Sequence, residues 1–88
     1  MAAEHHNYTL YVNAGCPYCA KVLSFMDDNG IALRTLDCTE WPAARDDLIN
    51  LGGKLQVPCL AIDGKALYES DDIIAYMKDH LEEMQNVR

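Results

Sequence analysis

The run Tyr8–Asn13, YTLYVN, is separated by a single alanine from Gly15-Cys16-Pro17-Tyr18-Cys19. This junction constrains the fold more than any other stretch. The first part is rich in β-formers and reads as a strand. Pro17 suits the first position of a helix, where its missing N–H would have had no partner and its fixed φ is already helical. The chain therefore passes from strand to helix at Cys16. Val22, Leu23, Phe25 and Met26 give that helix an apolar face, and Gly30 provides its stop. Ile31 to Asp37 reads as a second strand. Strand, helix, strand implies a right-handed crossover and a parallel pair.

Pro42 opens a second helix, with Leu48 and Leu51 inward and Gly52-Gly53 at its end. Cys59–Ile62 and Lys65–Tyr68 are short strands, and Asp63-Gly64 between them is a hairpin turn. Ser70, followed by Asp71 and Asp72, reads as the cap of a last helix, with the carboxylates facing the positive end of its dipole. Ile73, Ile74, Met77 and Leu81 form its buried face, and the terminal EEMQNVR is expected to fray. The order βαβ, α, ββ, α predicts an α/β thioredoxin-like fold, with a four-stranded mixed sheet and helices on both faces. Eighty-eight residues make one domain, 1–88, with flexible ends at 1–7 and 85–88.

A net charge of −7 disfavours nucleic acid and anionic membranes as partners. No apolar run approaches a membrane span. MAAEHHNYTL has no basic start followed by an apolar segment, so no secretory signal is expected and a cytoplasmic location is. Thiols there stay mostly reduced, so a close cysteine pair points to redox or metal chemistry. A structural zinc site needs four ligands. Cys38, Cys59 and His80 supply neither a second Cys-x-x-Cys nor a His-x₃₋₅-His, so no metal site is expected. His5 and His6 could hold a metal weakly, or simply form a polar N-terminus.

At the cap of the first helix, the Cys16 sulfur faces unpaired backbone N–H groups and the positive end of the macrodipole. Both favour thiolate. In Cys-x-x-Cys sites of this kind the pKa falls from about 8.5 to roughly 3.5–7.5. Cys19 lies one turn further in, near enough to close a disulfide and more shielded. Cys16 is thus the attacking thiol and Cys19 the resolving one.

Cys16-Pro17-Tyr18-Cys19 resembles the dithiol motif of glutaredoxins. Gln56-Val57-Pro58 is similar to their Thr-Val-Pro, and Ser70-Asp71-Asp72 to their Cys-Asp-Asp. The likeness runs from Tyr8 to about Leu81. The second half, QVPCLAIDGKALYESDDIIAYM, also resembles the glutathione-binding half of the glutathione transferase N-terminal domain. The resemblance implies a glutathione-dependent thiol–disulfide oxidoreductase. Its partners would be glutathione, as co-substrate, and disulfide-containing or glutathionylated proteins. It would have no tightly bound cofactor and would act as a monomer. An iron–sulfur cluster-binding module and a stand-alone transferase-like domain are the alternatives.

The resemblance also implies a cis Val57–Pro58 bond, with the Val57 backbone pairing with the cysteinyl part of glutathione. Ser70 and the helix start would take the γ-glutamyl carboxylate, and Asp71 the α-amino group, while Glu69 shapes the turn. Tyr18 would flank the reactive sulfur. Lys21 either stabilises charge near the site or is a solvated lysine. Asn13 stands where glutaredoxins commonly carry a lysine that contacts the glycine carboxylate, and Lys54 or Arg45 would replace it. Cys59 reads as core. Cys38 reads as a partly exposed thiol outside the mechanism, and Trp41 as packing over the loop into the second helix.

Overall fold

The computed structural model describes residues 7–85 of the chain. In order, the elements are β1 (Tyr8–Val12), α1 (Pro17–Asp28), β2 (Arg34–Asp37), α2 (Pro42–Gly52), β3 (Cys59–Ile62), β4 (Lys65–Tyr68), α3 (Ser70–Asp79) and α4 (Leu81–Gln85). The four strands form one sheet in the order β2-β1-β3-β4. β1 runs parallel to β2 and antiparallel to β3, and β3 is antiparallel to β4. This is the thioredoxin-like arrangement.

The strand period of two divides the core between the two faces. Tyr8, Leu10 and Val12 of β1 and Leu60 of β3 pack with Cys19, Val22 and Met26 of α1, Ile73 and Met77 of α3, and Met84 of α4. Tyr11, Cys59 and Ala61 point the other way, onto Ala44 and Leu48 of α2 and onto Cys38. Leu10, Leu60, Ile73, Met77 and Met84 are fully buried. Each contributes roughly 1.5–3 kcal/mol from removal of its apolar surface from water.

Several expectations are corrected. β2 starts at Arg34 rather than Ile31. The preceding residues complete α1: Gly30, at φ 67°, lets its own N–H reach the Asp27 carbonyl and that of Ile31 the Met26 carbonyl. This is a Schellman ending, and it holds Ile31 out of the ladder. The last helix is interrupted. α3 ends at Asp79, where His80 stacks on Tyr76 and its Nδ1 lies 2.9 Å from the Tyr76 carbonyl oxygen. α4 then buries Met84, and the Gln85 amide donates to the Asn29 carbonyl at 2.6 Å. The stretch expected to fray is therefore helical through Gln85. Asn7, at the other end, donates its N–H to Asp63 at 2.7 Å. The remaining terminal residues, His5 and His6 among them, lie outside the described residues.

Three side chains also differ. Leu23, placed on the apolar face of α1, is 38% exposed, because Val22 and Met26 already fill the space under the helix. Trp41 is 61% exposed rather than packed over the loop. Cys38 is buried: its N–H bonds the Val12 carbonyl at 2.8 Å, which extends the sheet one residue and turns the thiol under α2. Among the described residues, no helix is long and apolar enough to cross a membrane.

Candidate functional site

Cys16 sits at the N-cap of α1 in extended conformation (φ −83°, ψ 118°), with Pro17 as the first helical residue. The Cys19 N–H donates to Cys16 Sγ at 3.4 Å. Burial works against the Cys16 thiolate. The hydrogen bonds from the Cys19 backbone, the Cys19 side chain and the Tyr18 backbone outweigh it and hold the thiol below its ordinary value. Cys19 is fully buried, and burial is the main reason its thiol is pushed up to about 11. A backbone hydrogen bond from Asn13 opposes that rise, and the Cys16 side chain adds to it. One turn of helix thus pushes two identical groups in opposite directions, Cys16 towards the thiolate and Cys19 towards the thiol.

A cavity of about 400 Å³ is lined by Tyr18, Gln56, Val57, Pro58, Glu69, Ser70 and Asp71. It is assembled from the start of α1, the segment entering β3 and the start of α3. The Val57–Pro58 bond is cis. The Gln56 amide donates to Glu69 at 3.0 Å and ties two of these walls together. Ser70 is not the cap of α3. Glu69 holds that position at φ 75°, without a capping bond from its own side chain, and Ser70 is the first helical residue, 7% exposed. A left-handed φ at a non-glycine residue is costly, and such strain gathers at functional sites.

Asp71 is paired with Lys21, which links α1 to α3 at the edge of the cavity. The sequence left Lys21 open between a site role and solvation, and the structure gives it this carboxylate. Lys54 lies away from the cavity, with its ammonium 4.4 Å from the centroid of the Tyr68 ring. Arg45 instead lines a separate hollow of about 320 Å³ with Asn13, Cys38, Thr39, Pro42 and Leu55. Asn13 Oδ1 is buried there without a hydrogen-bond partner.

Cys16, Pro17 and Cys19 face a third hollow of about 320 Å³, together with Val12, Asn13, Ala14, Gly15, Ala20, Leu23 and Asp37. Sequence reasoning did not single out Asp37. Its carboxylate accepts from the Thr39 side chain, from the Thr39 N–H at 2.8 Å, and from the backbone of Glu40 and Ala14, and these bonds hold it below the usual carboxylate range. Asp-x-Thr is a local turn signal, but nothing in it reveals the contact with the loop before Cys16. Among the described residues, no group of three or more His, Cys, Asp or Glu side chains is placed to hold a metal ion.

Two cysteines at a strand-to-helix turn, with Tyr18 between them sharing a cavity with Val57 and Pro58, define the thioredoxin-fold class of thiol proteins. Comparison with known proteins narrows the class. The glutaredoxin family model matches residues 8–67, and the chain belongs to that family. It is 28% identical to Glutaredoxin 3 of Escherichia coli over 69 residues, covering 78% of this chain and 83% of that one. The buckwheat glutaredoxin–glutathione complex superposes with a TM-score of 0.69 at 20% identity, over 90% of this chain and 76% of that one. Glutathione transferase Omega 3C from Trametes versicolor gives a TM-score of 0.74 at 24% identity, over 94% of this chain but 36% of the transferase. The fold is therefore shared with both groups, in line with the double resemblance of the second half.

Proposed function

We propose that this chain is a glutathione-dependent thiol–disulfide oxidoreductase acting through Cys16 and Cys19. The observation that carries the reading is the placement of the two thiols at the start of α1: Cys16 is the N-cap and accepts the Cys19 N–H at 3.4 Å, and Cys19 is fully buried one turn further on. The Cys16 thiolate attacks one sulfur of a target disulfide. A new S–S bond forms, and the other sulfur leaves as a thiolate. If the attacked sulfur belongs to glutathione, Cys16 becomes glutathionylated, and a second glutathione thiolate releases it as glutathione disulfide. If it belongs to a protein, Cys19 gives up its proton, attacks Cys16 and frees the reduced protein. Two glutathiones then reduce the Cys16–Cys19 disulfide. The first route consumes one free glutathione thiol, because the substrate supplies the other half of the glutathione disulfide, and the second route consumes two.

The cavity beside Tyr18 suits the co-substrate, and the buckwheat glutaredoxin–glutathione complex is consistent with that use. The Val57 backbone pairs with the cysteinyl unit as a short added strand. Ser70 and the N–H groups at the start of α3 take the γ-glutamyl carboxylate. Asp71 takes the α-ammonium, which displaces Lys21 from an exposed ion pair of small worth. For the glycine carboxylate we favour Arg45 over Lys54. Arg45 lines a hollow of its own, while Lys54 is engaged on Tyr68.

The test is reduction of the mixed disulfide of glutathione and β-mercaptoethanol, coupled to glutathione reductase and NADPH. Cys16→Ser is expected to lose all turnover. Cys19→Ser is expected to keep it, because this substrate needs one thiol, and to lose reduction of protein disulfides by the two-cysteine route. Full activity in Cys16→Ser would overturn the assignment.

A further inference from the structure

The hollow that holds Cys16 is not the one assigned to glutathione. The two share no lining residue: Tyr18 serves one, and Cys16, Pro17, Cys19, Ala20 and Leu23 the other. Resting on the reading above, we propose that this second groove seats the polypeptide on either side of a target cysteine. It favours a segment that carries an apolar residue and a lysine or arginine near that cysteine.

The reach fits. A disulfide holds its two Cα atoms roughly 4.4–6.8 Å apart. Leu23 lies seven residues beyond Cys16, or about 10 Å along the helix. Three residues of extended chain span about the same distance. An extended segment is therefore long enough to bring a side chain three positions from the target cysteine to Leu23 once the mixed disulfide has formed.

The surface fits as well. Ala14, Gly15, Pro17 and Ala20 are exposed and small, so a backbone can lie close. Leu23 is exposed and free of the core. Asp37 puts a carboxylate in the groove, held below the usual carboxylate range by its hydrogen bonds, and among the described residues no lysine or arginine lines the groove. Glu40 and the exposed Trp41 follow on the same turn, whose Glu40 and Trp41 N–H groups both bond the Asp37 carbonyl. An apolar strip with the Asp37 carboxylate in it, and Glu40 three residues further along the chain, is complementary to an apolar, basic segment. Exposed tryptophan is the side chain most often found to anchor such contacts.

The experiment uses Cys19→Ser, which stops at the mixed disulfide, and two short peptides whose single cysteine is joined to thionitrobenzoate. One peptide flanks the cysteine with leucine and lysine, the other with serine and glutamate. Attack by Cys16 on the peptide sulfur releases coloured thionitrobenzoate, which gives the rate directly. The basic, apolar peptide should react about fivefold faster at low salt, as expected for one modest charge contact, and the ratio should narrow as salt rises. Leu23→Lys should bring the ratio towards one, and Glu40→Lys should lower it independently. Equal rates for the two peptides, or a ratio that neither substitution changes, would overturn the groove while glutathione mixed-disulfide reduction by the same protein continued. Loss of that reduction as well would remove the underlying reading, and the groove with it.

Discussion

Two pairs of cysteines share this sheet and meet opposite fates. Cys16 and Cys19 sit at the start of α1, where the Cys16 sulfur receives backbone hydrogen bonds. Cys38 and Cys59 lie under α2 against Tyr11, Ala44 and Leu48. Burial raises the Cys59 thiol to about 11, and burial and the Asp37 charge together raise that of Cys38. Cysteine content alone says little. A half-buried sulfur with converging donors is biased towards the thiolate, while a fully buried one without enough of them behaves as a small hydrophobe.

The strongest way to break this contrast is by exchange of function. Cys16→Ser should reduce glutathione-linked turnover to the uncatalysed rate, whereas Cys59→Ala should leave the rate constant intact. If Cys59→Ala also abolished turnover in a protein that still folds, the second pair would belong to the chemistry. The next effect is on stability. Cys59→Ser puts a hydroxyl into a fully buried apolar site and should cost about 1–3 kcal/mol in urea unfolding. An unchanged midpoint would mean that the cluster under α2 is wetter than its burial implies.

The first pair was legible in the sequence because its signals are local. A β-forming run, a glycine, Cys16 and a helix-starting proline fit within a dozen residues, and Gly30 and Gly53 punctuate the helices as their left-handed φ values require. The two-faced sheet followed from element order. What escaped depends on distant contacts. Cys38 looked partly exposed because nothing near it in sequence says that Ala44 and Leu48 will be laid over it. Ser70 looked like a cap because serine usually is one, yet Glu69 takes that place in a conformation its own type disfavours. The break at His80 rests on a ring stacked on Tyr76, and the fate of Lys54 on a ring fourteen residues away.

A smaller effect sharpens the comparison through titration. Only the thiolate is alkylated by iodoacetamide, so the rate rises with pH through the pKa of the reacting thiol. Cys16 should be the residue modified in the native protein, with a midpoint below the ordinary thiol value. Cys38 and Cys59 should react only after unfolding. Cys19→Ala removes the side-chain hydrogen bond to Cys16 and should move the midpoint upward. The same shift carries a sign for stability. Because the folded pKa of Cys16 is depressed, its contribution is present above the unfolded pKa and is lost as pH falls through the folded value. A midpoint at or above the ordinary thiol value would erase the distinction between the pairs.

The smallest effect lies where the two regions adjoin. Cys38 shares its hollow with Arg45 and Asn13, so the inert pair borders the place we assign to the glycine carboxylate of glutathione. Arg45→Met should raise KM for glutathione about fivefold with kcat little changed, since an exposed charge contact is worth up to about 1 kcal/mol. Lys54→Met should leave KM alone and cost about 0.5–1 kcal/mol of stability through its lost contact with the Tyr68 ring. Steady-state kinetics at low salt, with urea unfolding of both variants, separates the two. A KM effect confined to Lys54→Met would return the carboxylate to the residue that the sequence first suggested. It would also require the lysine to leave the tyrosine when glutathione binds, and Arg45 would then matter only as the cation that tempers the Cys38 thiol.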